Sequence, residues 1–175
     1  MSPQIIFVTQ LVLGYVACLL ALTTYALPRL KAMDGVDAQR AIATFHSFRF
    51  FGLVFLIPGV VGPNLPAGFA TFAAYWDFAT GILAILALLS VRVKPVFWFF
   101  VAAFNLVGMT DLVLDYYHAV RVGLPGMAGQ LGPAYVIPVI YVPALMITHG
   151  MALYLLAHRA PKGIRAFAYS SAGDG

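Results

Sequence analysis

The chain has 175 residues, of which 62% are hydrophobic and only 9% charged, and its mean hydropathy is +0.93. Charged residues make up about a quarter of a soluble domain, so this composition excludes one and specifies an integral membrane protein. The net charge of +4 does not point to nucleic acid, because lysines and arginines stand singly or in pairs beside apolar segments and form no stripe interleaved with aromatics.

Taking roughly 20 apolar residues as one crossing, the sequence predicts an all-α, polytopic bundle of five transmembrane helices. They cover about 5–27, 39–61, 68–91, 95–120 and 134–158, forming one domain (1–160) followed by a short cytoplasmic tail (161–175). The first segment has neither a basic start nor a small-residue cleavage site, so it reads as a retained helix and not a signal peptide. It holds the lone cysteine, Cys18, which excludes an intrachain disulfide and any CxxC motif.

The second segment contains "TFHSFRFFGLVFL", which puts His46 and Arg49 at i, i+3 inside hydrocarbon. After the break "GPNLPAG", the third carries Trp76 and Asp77, with Ala73, Asp77 and Gly81 forming a small-polar-small line that favours close helix approach. The "RVKP" turn leads to the fourth. There Asn105, Gly108, Asp111, Asp115 and His118 fall within an arc of about 140° at 100° per residue, a single stripe. The loop "GLPGMAGQLGP" precedes the fifth, where Pro138 and Pro143 free the carbonyls of Ala134 and Val139. Tyr141 and His149 follow, projecting near one face.

Orientation follows from the basic residues. Arg29, Lys31, Arg40, Arg92, Lys94, Arg159, Lys162 and Arg165 fall on one side, with Arg121 alone on the other. The N-terminus is therefore expected outside and the C-terminus in the cytoplasm, in a bacterial inner (cell) membrane.

At 1.5 Å of rise per residue, Arg49, Asp77, Asn105, Asp111 and His149 come to similar depth, with His46 about one turn nearer the cytoplasm. Each ionised side chain there costs about 2.5–3.5 kcal/mol, so partners are required. Arg49 is expected to take Asp77 or Asp111 through paired hydrogen bonds, leaving a carboxylate that must hold a proton, hold a cation or face a protonated histidine. The plain reading is an electrostatic clasp. The functional reading carries more weight, because ionisable residues inside a membrane are by default a site.

On that reading the chain binds a lipophilic or amphipathic small molecule in a mid-membrane pocket. Proton-transfer chemistry, of an isomerase or reductase kind, would use Asp77 or Asp111 as acid or base, His149 first and His46 second as relay, and Arg49 against developing negative charge. Asn105, Tyr141, Trp76 and Asp115 are the expected substrate contacts. His46 and His149, at comparable depth on different helices, also make a candidate axial pair for b-haem, with Gly52 and Gly150 giving room.

Asp111, Asp115 and His118 could hold a divalent ion, but solvation of His118 at the interface is the simpler reading, and no metal ligand set is assigned. Trp98 reads as an interfacial anchor. Rival functions are a proton-coupled transporter or a non-catalytic accessory subunit. The expected partners are membrane lipids, the small molecule, and further copies or subunits of a larger membrane complex. No P-loop, GxSxG, HExxH or glycosylation sequon is present.

Overall fold

The computed structural model describes residues 1–159, with the backbone alone for Arg159. The tail expected over 161–175, with Lys162 and Arg165, lies outside the described residues. Within them the chain is helical, and its one extended pairing is an isolated bridge between Pro58 and Val61. Four helices are long and apolar enough to cross a membrane: Pro3–Ala32, Ala67–Leu89, Lys94–Arg121 and Ile137–His158.

The first rod comprises α1 (Pro3–Ala21), a π turn (Leu22–Ala26) and α2 (Leu27–Ala32). Ser2 caps α1 by accepting from the Ile5 N–H at 3.3 Å, and Pro3 sits where a missing donor costs nothing. Of the α1 side chains only Phe7 is buried. This rod presents apolar side chains all round, as a helix does when most of its surface meets lipid.

The second expected crossing departs from a uniform helix. α3 (Gly35–His46) begins on Asp34, whose carboxylate accepts from the N–H groups of Val36 (2.8 Å) and Asp37 (3.0 Å). At Ser47 the chain tightens into a ten-residue 3-10 segment, Ser47–Leu56. Such runs seldom exceed three or four residues. Here the spacing suits it, because a three-residue turn stacks every third side chain: the buried residues of the segment are Arg49, Gly52 and Phe55, continuing from buried His46. Phe48, Phe50, Phe51 and Leu56 point outward.

α4 (Ala67–Leu89) lies directly on this segment. A Cβ at Gly81 would come within 3.1 Å of the Phe50 backbone nitrogen, and one at Gly52 would collide with the Asp77 side chain. α5 (Lys94–Arg121) runs back antiparallel and ends at Gly123, whose φ of 68° gives the left-handed stop usual after a helix. A 3-10 cap, Leu124–Tyr135, then folds over the end of the bundle. It is fastened by Gly62 N–H to Gln130 O (2.7 Å) and Asn64 N–H to the Gln130 side chain (3.1 Å).

A second π turn (Ile137–Tyr141) opens α6 (Val142–Arg159). Its widened backbone is covered by α1. Gly14 lies so close to the Val139 carbonyl that a Cβ would overlap it, and Cys18 donates to the Ile140 carbonyl at 3.8 Å. The carbonyl that Pro143 frees thus faces protein, as hydrocarbon requires.

Two apolar cores result. One, around Phe7, Phe55, Phe69, Leu124 and Leu131, lies beneath the cap. The other, around Leu30, Ile42, Phe97, Phe104 and Leu155, fills the end where α2, α3 and α6 meet the α4–α5 turn. Trp98 belongs to this second core, 6% exposed, and is not the interfacial anchor its position suggested. The buried polar residues His46, Arg49, Asp77, Thr80, Asn105, Asp111, Thr148 and His149 fall between the two cores along the chain.

Candidate functional site

Arg49 is fully buried and uses all three guanidinium nitrogens. Nε donates to Asp77 Oδ1 at 2.7 Å, Nη2 bridges Asp77 Oδ1 (2.5 Å) and Asp111 Oδ2, and Nη1 donates to the Gly108 carbonyl at 3.3 Å. Both candidate acids therefore answer the arginine, where the sequence left a choice. Asp77 is 4% exposed and Asp111 is fully buried.

Nη1 also lies 3.1 Å from His149 Nε2. Arginine only donates, so Nε2 accepts and the ring hydrogen sits on Nδ1. That nitrogen donates to Asn105 Oδ1 at 3.0 Å, and Asn105 Nδ2 donates to the Val101 carbonyl at 2.8 Å. The chain of donors runs in one direction and fixes the tautomer of His149. Glycine makes this possible at a second point, since a Cβ at Gly108 would overlap the His149 ring.

His46 packs on His149 with ring centroids 3.9 Å apart and the ring planes tilted by 40°. Thr148 Oγ1 donates to its own helix, at 2.8 Å to Ala144 O and 3.0 Å to Leu145 O, so it accepts from His46 Nε2 at 3.0 Å. His46 Nδ1 then has no hydrogen-bond partner. The pair does not fit a haem: axial imidazoles meet the iron end-on from opposite sides of a porphyrin, whereas these rings pack against each other, with one nitrogen of His46 and both of His149 in hydrogen bonds.

Beside this layer, on the cap side, is a cavity of about 200 Å³. Its wall is almost wholly hydrocarbon, from α1, the 3-10 segment, α4, α5, the cap, the π turn and α6, and Asp77, Asp115 and Tyr116 are its polar residues. The Tyr116 hydroxyl is paired with Tyr15 at 2.8 Å, a tie from α5 to α1. Asp115 Oδ1 is buried without a partner, as is Asp111 Oδ1 one turn away. Asp77 thus belongs to both places.

Residues 6–157 match a family of domains of unknown function, DUF8737. The chain belongs to that family. No curated protein and no solved structure matches it.

Within this member, the polar residues of the sequence stripe divide. Arg49, Asp77, Asn105, Asp111, His46 and His149 gather; Asp115 stands at the cavity. Trp76 is a correction: it is 40% exposed, stacks on Phe72 and faces outward, because its position next to Asp77 puts it about 100° round the helix. Tyr141 leans on Phe45 with a buried, unpartnered hydroxyl and is not part of the cavity wall. His118 turns against Phe72 at 4.4 Å, and among the described residues no three His, Cys, Asp or Glu side chains are placed to hold a metal.

The relay role expected of the histidines is also revised. Neither lines the cavity, and Arg49, which keeps its charge in proteins, is the group that His149 touches. Both are placed to position, His149 on Arg49 directly. Thr148 and Thr80, fully or nearly buried in the layer, were not foreseen. Threonines are ordinary in membrane helices and carry no depth signal of their own. The spacing His46, Arg49, Gly52, Phe55 was a signal in plain view, but it is invisible to a 3.6-residue template.

Proposed function

We propose that this protein is a five-crossing protein of the cell membrane that binds a lipophilic small molecule at mid-depth and exchanges a proton with it. The observation that carries the reading is the double position of Asp77, which is bonded to Arg49 on one side and forms part of an apolar cavity wall on the other. A purely structural ion pair gains nothing from such a cavity, since an empty void forfeits packing.

Charge balance supports the proton. One guanidinium faces Asp77 and Asp111, with Asp115 beside them, so three acids and one cation need two protons, or an equivalent positive charge, to avoid a net charge in hydrocarbon. Asp115 and Asp77 meet the ligand, Asp111 follows one turn behind Asp115, and Arg49 holds the negative charge that remains after a proton leaves.

The fifth crossing is supported by length. Twelve α-helical residues rise about 18 Å and ten 3-10 residues about 20 Å, together more than the ~30 Å hydrocarbon core. The outside N-terminus is supported by charge: Arg29, Lys31, Arg40, Arg92 and Lys94 belong to the end of the second core, and Arg121 to the cap end.

A clasp is the second reading, favoured by the saturation of Arg49. Ala119→Phe, which fills the cavity from its wall without touching the ion pairs, separates the two. We expect native mass spectrometry to find an organic molecule on the wild type and none on the variant, at similar thermal stability. A wild type that carries nothing, with an unfolding midpoint raised by the filling, would sustain the clasp.

A further inference from the structure

Resting on the pocket reading above, we infer that the cavity selects an amphiphile with a cationic, hydrogen-bond-donating head, an alkylammonium in its simplest form, over neutral or acidic molecules of the same length.

The inference comes from an imbalance in the wall. Two aspartates are among the residues that line the cavity, and no lysine, arginine, histidine, asparagine or glutamine is. The one cation of the neighbourhood, Arg49, has every nitrogen committed on the far side of Asp77. The one hydroxyl on the wall is tied to Tyr15. The lining therefore brings acids to the cavity without a cation of its own, and Asp115, whose Oδ1 is buried with no partner, is the acid left outside the Arg49 ion pairs. Such an atom is costly to leave unpaired. A ligand ammonium supplies donors together with the missing positive charge, whereas a carboxylate head adds repulsion to desolvation.

Shape agrees with an amphiphile. A volume of about 200 Å³ has room for a head and a short alkyl segment. The remainder of a longer chain has a way out, because Val8 of α1 and Val120 of α5 both line the cavity and are exposed, on a surface that faces acyl chains. α1 packs chiefly on the cap, the π turn and α6. The Tyr15–Tyr116 bond is its polar tie to α5 at the cavity, so a lipid-soluble molecule has a lateral route between these two helices.

The test uses the full chain in nanodiscs and three probes of equal length: n-octylamine, n-octanol and n-octanoate. Calorimetric titrations are read as the difference between wild type and A119F, which removes partition into lipid; Leu11→Phe, from the opposite wall, serves if A119F does not fold. We expect octylamine to bind at least about tenfold more tightly than octanol, the ratio one charge-assisted hydrogen bond supports, and octanoate not to bind. Asp115→Asn should abolish the amine's advantage and leave octanol unchanged, and Asp115→Glu should restore it. Amine and alcohol of equal affinity, or octanoate tightest, would overturn the head-group inference and leave the pocket standing. If none of the three distinguishes wild type from the filled variants, the pocket reading falls with it.

Discussion

Arg49 and Asp115 are ionisable groups in neighbouring parts of one bundle, and the fold treats them in opposite ways. Every guanidinium nitrogen of Arg49 has a partner on α4, α5 or α6, and glycines at 52 and 108 admit those partners at contact distance. Asp115, on the same stripe as Asp111, keeps a buried oxygen without one. The first arrangement satisfies a charge internally and leaves it nothing to offer. The second leaves a valence unfilled on a residue that lines a space with apolar walls. In a medium where an unpaired polar group is expensive, an open valence beside a cavity is the mark of a site, and saturation is the mark of a support. Asp77 connects them.

The sharpest test removes the support. Arg49→Met leaves buried carboxyls without their cation, and breaking a buried pair in this way costs about 3–5 kcal/mol. We expect little folded protein by size exclusion in mild detergent. The triple variant R49M/D77N/D111N, which removes the charges together, should recover much of it.

Gly108→Ala comes next. Its Cβ would push on the His149 ring, and overpacking of this kind costs roughly 1–3 kcal/mol, to be read as a lower unfolding midpoint. Asn105→Leu releases His149 Nδ1 from its acceptor and leaves a buried donor, at a cost of about 1–3 kcal/mol.

Asp115→Asn should do far less, changing stability by no more than about 1 kcal/mol, as expected for a side chain removed from no partner. Destabilisation as large as that of R49M would erase the distinction between support and site.

The smallest effect lies at the surface. The Asp34 carboxyl, outside the membrane segments, is held below the ordinary carboxylate range by the backbone N–H of Asp37, with a contribution from that of Val36. Its folded value is the lower one, so the stabilisation is complete above the unfolded value of about 3.9 and is lost as pH falls through the folded value. Acid titration of wild type should show this loss at low pH. Asp34→Ala should lack that component.

Much of this was written in the linear order of residues. Hydropathy placed the rods and their breaks, and a rise of 1.5 Å per residue brought Arg49, Asp77, Asn105, Asp111 and His149 to one level. The line Ala73, Asp77, Gly81 also identified the face of α4 that meets the second segment. Spacing along a helix, however, gives depth and a relative angle only. It could not show that Trp76 faces outward while Trp98 enters the core, because an apolar aromatic is as comfortable in lipid as in protein. Nor could it choose the 3-10 geometry of Ser47–Leu56, since a hydropathy sum is the same for both helical pitches.

Composition and positional order thus settled that the chain lives in a membrane, where its segments turn and how deep its charges lie, because burial in hydrocarbon is a property of residue type summed along a rod. Packing between rods settled which valences are filled. That both acids share Arg49, that the histidines pack together off the cavity wall, and that Asp115 keeps an unpaired oxygen all depend on azimuth and on contacts between residues a hundred positions apart, such as Arg49 with His149. No local pattern encodes these relations.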